Sequence, residues 1–305
     1  LNAEIEEENY FKLNYFKMKK IIIAAFISAI SITTIFYSCK KEIPRSTMHN
    51  SSPNLALITN QIEELGKQHL IKPDNTSYRQ KGAVIGLADA VGGVLSAASV
   101  SWTGFGAIFA PYCTVWGAFW FSMGVANLRV VNTFSPFNPT VPNVLEYSYL
   151  GVLHNNAVFQ SYNNHYFPIA NNNELNNNIN STILQSSYLS FPKISSKSID
   201  SLYNINKNLF NSMLSHASEV DANEGIALVH LIEQSSLSND MKQICNSIIN
   251  TVLSNPNCTL DGTTTFYRDV ETVLNTSNLS YEDKARLKMF ISIAHSSSYY
   301  WHFNN

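Results

Sequence analysis

Apolar residues in this chain recur at helical rather than strand spacing, and the first such set is Leu55, Ile58, Ile62, Leu65 and Leu70. That spacing predicts an amphipathic helix over 54–70. The next segment, Lys81 to Arg129, is different in kind, because Asp89 is the only charge between its ends and most of the 12 glycines fall inside it. Gly82, Gly86 and Ala90 repeat every fourth residue, while Asp89, Gly93, Ala97 and Ser101 do so on a neighbouring face. Small residues at that spacing let helix backbones approach closely. After a break near Trp102-Thr103-Gly104 comes a second apolar run with Phe105, Ile108, Phe109, Trp116, Phe119, Trp120 and Phe121. Pro111 is expected to kink or start that helix. The pattern predicts a glycine-rich helical hairpin over 82–135, packed through Gly82, Gly86, Gly93, Ala97, Gly117 and Gly124.

From 139 to 305 the pattern stays helical. Leu145, Tyr149, Val152, Leu153 and Phe159 share one face of a segment over 144–159. The tract NNNELNNNIN, 171–180, reads as a polar linker, and Ile199, Leu202, Ile205, Leu209, Met213 and Leu214 mark a helix over 198–220. Further helices are expected over 222–234, 238–253 and 264–274. A last one begins at Ser280, where Ser280-Tyr281-Glu282-Asp283 supplies a cap and first-turn acids. No run reads as paired strands. The expected class is all-α, a glycine-rich hairpin plus a C-terminal multi-helix bundle, after a signal peptide and a polar tether.

The N-terminal pattern gives an address. Met18-Lys19-Lys20 precedes an uncharged stretch from Ile21 to Tyr37, and Ser38-Cys39 follows. A basic start, an apolar core and a cysteine after a small residue make a bacterial lipoprotein signal over 18–38, with lipidation expected at Cys39. An uncleaved anchor or a chance cysteine is the alternative. Two acyl chains would hold the protein stably at a bilayer. The acidic prefix LNAEIEEENYFKLNYFK is foreign to signal peptides, so residues 1–17 are expected to be an over-extended reading frame. Residues 39–81, punctuated by Pro44, Pro53 and Pro73, read as a polar tether with one short helix.

Composition adds exclusions. A net charge of -2 and no basic block argue against a nucleic-acid partner. Besides Cys39 there are Cys113, Cys245 and Cys258. In an exported protein Cys245 and Cys258 are candidates for a bridge closing a short helix-turn loop, with zinc the weaker alternative. Cys113, in apolar sequence, reads as a small buried hydrophobe. The uncharged length of the hairpin fits two membrane spans or a buried pair of helices. A second span would risk arresting export in the inner membrane, which favours burial.

Few residues offer chemistry. His154 with Asn155 lies on a mostly apolar helix, and His230 and Glu233 lie one turn apart. These form the candidate polar site, as a general base or ligand, although a histidine on such a face is more often structural. His216 or Glu219 would have to join His230 to complete a metal site. His295 and His302 flank Tyr299-Tyr300-Trp301 and read as packing. There is no G-x-S-x-G, H-E-x-x-H or P-loop, and Asp261-Gly262-Thr263 reads as a turn between helices. No catalytic residue, metal or cofactor is expected.

Three motifs carry a family resemblance: Ala88-Asp89-Ala90-Val91-Gly92-Gly93, then Tyr149-Leu150-Gly151-Val152-Leu153-His154-Asn155, then Ile291 to Trp301 with the sequence ISIAHSSSYYW. In that order they resemble a group of exported Bacteroidota lipoproteins with no assigned activity. The resemblance implies an envelope location and this architecture. Asp200-Ser201-Leu202 also fits the O-glycosylation pattern of that phylum, which makes Ser201 a candidate acceptor. The expected function is a lipid-anchored envelope or cell-surface protein that binds an unknown envelope partner. The alternatives are a toxin-like protein inserting the hairpin into a bilayer, and an enzyme with an unrecognised site.

Overall fold

The computed structural model describes residues 53–70, 80–100, 105–129, 138–163, 225–255 and 258–303, with short pieces at 204 and 208–209. Cys39, Ser201, His216, the 171–180 tract and nearly all of the helix expected over 198–220 lie outside the described residues. The described residues are all helical, with no strand. The helices are α1 (Pro53–His69), α2 (Gln80–Ala98), α3 (Phe105–Arg129), α4 (Ser148–Asn163), α5 (Gly225–Gln234), α6 (Asn239–Leu253), α7 (Leu260–Thr276) and α8 (Tyr281–Phe303).

The chain from Ser51 to Asn305 forms one compact unit. α1, expected within a tether, is part of that body and packs on α6 and α7. Its Leu55, Ile58 and Ile62 are buried, as their spacing requires. Pro53 occupies the first helical position, where its missing N–H costs nothing. The close approach of α1 to α6 rests on Gly66, where a Cβ would lie 2.1 Å from Thr251 Cγ2.

The hairpin lies at the centre. α2 packs against α3 and α8 most extensively, and also against α5 and α6. Every residue from Val84 to Ala97 on α2 is buried, and so is every residue from Tyr112 to Ser122 on α3. A helix apolar all round must be enclosed, and here other helices enclose it. Among the described residues no helix is long and apolar enough to cross a membrane.

The glycines expected to pack the hairpin divide between two contacts. A Cβ at Gly92 would meet the Gly117 carbonyl oxygen at 2.5 Å, and one at Gly93 the Thr114 carbonyl oxygen at 3.0 Å, so these positions do join α2 to α3. Gly82 and Gly86 instead face α8, where a Cβ on Gly86 would sit 2.6 Å from Ser298 Oγ. The reason is that α2 carries small residues on more than one face. Ala97 is buried. Gly124 lies on α3, but its surroundings are outside the described residues.

Of the two roles expected for Pro111, starting the helix is excluded, since it lies within α3, which begins at Phe105. One local expectation is corrected. Asp261-Gly262-Thr263 is not a turn but the first turn of α7, capped by Thr259, whose Oγ1 accepts the Gly262 N–H at 3.0 Å. Ser238 caps α6 in the same manner, through the Met241 N–H at 3.3 Å. Ser280 caps α8 as expected, accepting the Asp283 N–H at 3.0 Å.

Candidate functional site: a buried polar cluster around Asp89

A single carboxylate in the buried, apolar stretch of a helix has to find partners or lose its charge. Asp89 projects from α2 and is completely buried. Two groups of α8 converge on its Oδ2: the Ser297 hydroxyl donates to it, and the Trp301 indole N–H donates at 3.2 Å. His154 of α4 places Nε2 3.5 Å from the same oxygen. Ser122 of α3 also stands near enough to favour the charged form, although its hydroxyl completes no hydrogen bond among the described residues. Asp89 Oδ1 accepts no hydrogen bond among the described residues.

Asn155 extends the cluster. Its Nδ2 donates to the Ser296 carbonyl oxygen at 2.8 Å, and its Oδ1 lies 3.1 Å from His154 Nδ1. Because Nδ2 is committed to Ser296, Oδ1 can only accept, so His154 Nδ1 carries the hydrogen. α4 approaches α8 closely enough for this because residue 151 is glycine. A Cβ there would lie 2.1 Å from Ser296 Oγ and 2.8 Å from the Ser292 carbonyl oxygen.

Burial sets the electrostatics. It pushes Asp89 well above the usual carboxylate range, against the opposing pull of Ser297, Trp301 and Ser122. It pushes His154 down to about 4, against the opposing effect of the Asn155 hydrogen bond.

The three sequence motifs therefore meet at one place, through Asp89 on α2, His154-Asn155 on α4 and Ser297 with Trp301 on α8. The candidate polar set is split. His230 and Glu233 are exposed on α5, where His230 Nε2 lies 2.7 Å from Gln234 Nε2 and Glu233 Oε1 accepts from Asn246 Nδ2 at 2.5 Å. They do not join His154. Among the described residues no group of three or more His, Cys, Asp or Glu could hold a metal ion. Asp89 was legible as the lone charge of its segment. Ser297, Trp301 and Ser122 were missed as its partners, because serines and a tryptophan near a helix end carry no chemical signal of their own.

The expected Cys245–Cys258 bridge is a correction: both are thiols, as is Cys113. Cys245 is completely buried on α6, whereas the Cys258 sulfur lies 3.1 Å from Thr263 Oγ1 at the entrance to α7. Burial pushes the Cys113 thiol up to about 12 and raises Cys245 as well.

A second polar cluster joins α7 to α8. The Thr264 hydroxyl donates to the Leu260 carbonyl oxygen at 2.9 Å, so its oxygen accepts from His295 Nε2 at 3.0 Å and from the Tyr299 hydroxyl at 2.9 Å. His295 is stacked edge-on against Tyr267 and Tyr299. Its Nδ1 has no hydrogen-bond partner among the described residues, and burial lowers the ring to about 4.

No family model, curated protein or solved structure matches this chain.

Proposed function

We propose that this is a lipid-anchored helical protein of the bacterial envelope that acts by binding a partner rather than by turnover. The observation that carries the reading is the run Lys19-Lys20, Ile21 to Tyr37 and Ser38-Cys39, followed at once by polar Lys40-Lys41-Glu42. It is the arrangement from which a diacylated cysteine is made and held at a membrane. The likeness of the three motifs to exported Bacteroidota lipoproteins supports the same location. The burial of Asp89, His154 and Asn155 supports a structural use of the residues best suited to catalysis.

The test is expression in a host with lipoprotein-processing enzymes, with an alkyne fatty acid as label. The wild-type protein takes the label and sediments with membranes; Cys39→Ala loses both properties. Equal labelling and sedimentation of the two proteins would remove the anchor from the reading. A His154→Ala, His230→Ala double variant addresses turnover: a hydrolytic activity of the wild type that it abolishes while staying folded would replace binding by catalysis.

The apolar circumference of α2 and α3 favours a second reading, in which the hairpin leaves the body and enters a target bilayer. Dye release from liposomes by the Cys39→Ser protein tests it. Leakage supports insertion, and intact liposomes assign the hairpin to the core.

A further inference from the structure

We propose that Asp89 and His154 form a buried binding site for one proton, shared between the hairpin and α4, which lets the hairpin dock without net charge in the core. The argument begins with the tautomer. Asn155 commits His154 Nδ1 to carry a hydrogen, so a neutral His154 ring presents the lone pair of Nε2 to its other neighbour. That neighbour is Asp89 Oδ2, 3.5 Å away with both side chains fully buried. A lone pair facing a carboxylate is repulsive, and the carboxylate would be a bare charge in an apolar core. One added proton removes both problems. It sits on the carboxyl group beside a neutral imidazole, or on Nε2 beside a carboxylate, and in either form the pair is neutral. The unsatisfied Asp89 Oδ1 favours the first form, since an ionised carboxylate spreads its charge over both oxygens.

Among the described residues, no other charged group is found facing the pair. α3 contributes Ser122, α8 contributes Ser297 and Trp301, and α4 contributes His154 and Asn155. Among the described residues, no titratable side chain of α3, α5, α6 or α8 shifts either group.

The consequence is a particular pH dependence. In the unfolded chain Asp89 and His154 titrate near 3.8 and 6.5, so between those values they also hold one proton, on the histidine. Folding across that window relocates a proton instead of binding or releasing one. Taken alone, His154 is lowered to about 4, so its contribution is complete above pH 6.5 and lost as pH falls toward 4. Taken alone, Asp89 is raised, so its contribution is complete below pH 3.8 and lost as pH rises through its folded value. The two slopes oppose and cancel.

Two measurements test this. Carbon-13 and nitrogen-15 NMR of the full-length protein at pH 5.5 reads the protonation of the Asp89 carboxyl and the His154 ring directly. A protonated carboxyl with neutral imidazole, or a carboxylate with imidazolium, supports the one-proton site. A carboxylate with neutral imidazole, or a protonated carboxyl with imidazolium, overturns it. Denaturant unfolding from pH 4 to 6.5 then compares wild type with Asp89→Asn and His154→Gln, so that His295, common to all three, drops out of the differences. The unfolding equilibrium constant of Asp89→Asn relative to wild type rises by about tenfold for each pH unit of acidification. That of His154→Gln moves in the opposite direction. Two variants that keep the wild-type pH profile would overturn the proposal.

Discussion

Replacing Trp301 by phenylalanine removes the indole N–H that reaches Asp89 Oδ2 at 3.2 Å while keeping an aromatic ring in the core. A buried polar group that loses a partner costs about 1–3 kcal/mol, and urea unfolding of Trp301→Phe should show a loss in that range. His295 gives a separate pH signature. Its Nε2 hydrogen is used on Thr264, so protonation means charging a buried Nδ1 that has no acceptor among the described residues. With the ring lowered to about 4, its stabilising contribution is complete above pH 6.5 and is lost as pH falls toward 4. His295→Gln should therefore flatten the acid limb of the stability curve, whatever its effect at neutral pH. At this scale the sequence showed which groups were out of place, such as a lone aspartate and histidines on apolar faces. It did not show their partners, because Ser297 and Trp301 are 208 and 212 residues from Asp89 along the chain.

Helices were the most legible level. The spacing of Leu55, Ile58 and Ile62 predicted 54–70, and α1 runs from Pro53 to His69. Ser280 marked its helix start through capping chemistry, and Ser238, the bound expected for another helix, caps α6. α7 was misread at its start because Asp261-Gly262 is also a common turn pair. Thr259 decides the outcome by capping, and Gly262 is small enough to pass the His69 carbonyl oxygen, which a Cβ would meet at 2.4 Å. Removing the cap with Thr259→Ala should cost about 1 kcal/mol. The α4–α8 contact makes a sharper test. Gly151→Ala forces a methyl group against Ser296, an overpacking cost of about 1–3 kcal/mol, and adding Ser296→Gly should return part of it. Full additivity of the two substitutions would show that the helices do not touch there.

For the molecule as a whole, α1 belongs to the body, and its Ile62 is completely buried. Ile62→Ala should lower stability by about 2–5 kcal/mol, a loss that a loose tether would not transmit. Because Cys113, Cys245 and Cys258 are buried thiols, a reducing agent should leave the melting temperature unchanged, and thiol reagents should react with Cys113 and Cys245 only on unfolding. A drop in melting temperature on reduction would indicate a bridge. α1 reads as part of a tether in the sequence because a polar stretch with prolines resembles a linker until something covers its apolar face. The buried faces of α6 and α7 supply that cover.

Helical periodicity, caps and small-residue spacing are properties of neighbouring residues, and they determined by themselves that the described residues are helical, with a glycine-rich hairpin that holds a lone aspartate. The tertiary structure alone decided that Gly82 and Gly86 meet α8, that His154 belongs with Asp89 and not with His230, and that Cys245 and Cys258 stay apart. The physical reason is common to all three. Each depends on which distant helix covers a given face, and several helices of this chain offer apolar faces that local pattern cannot tell apart.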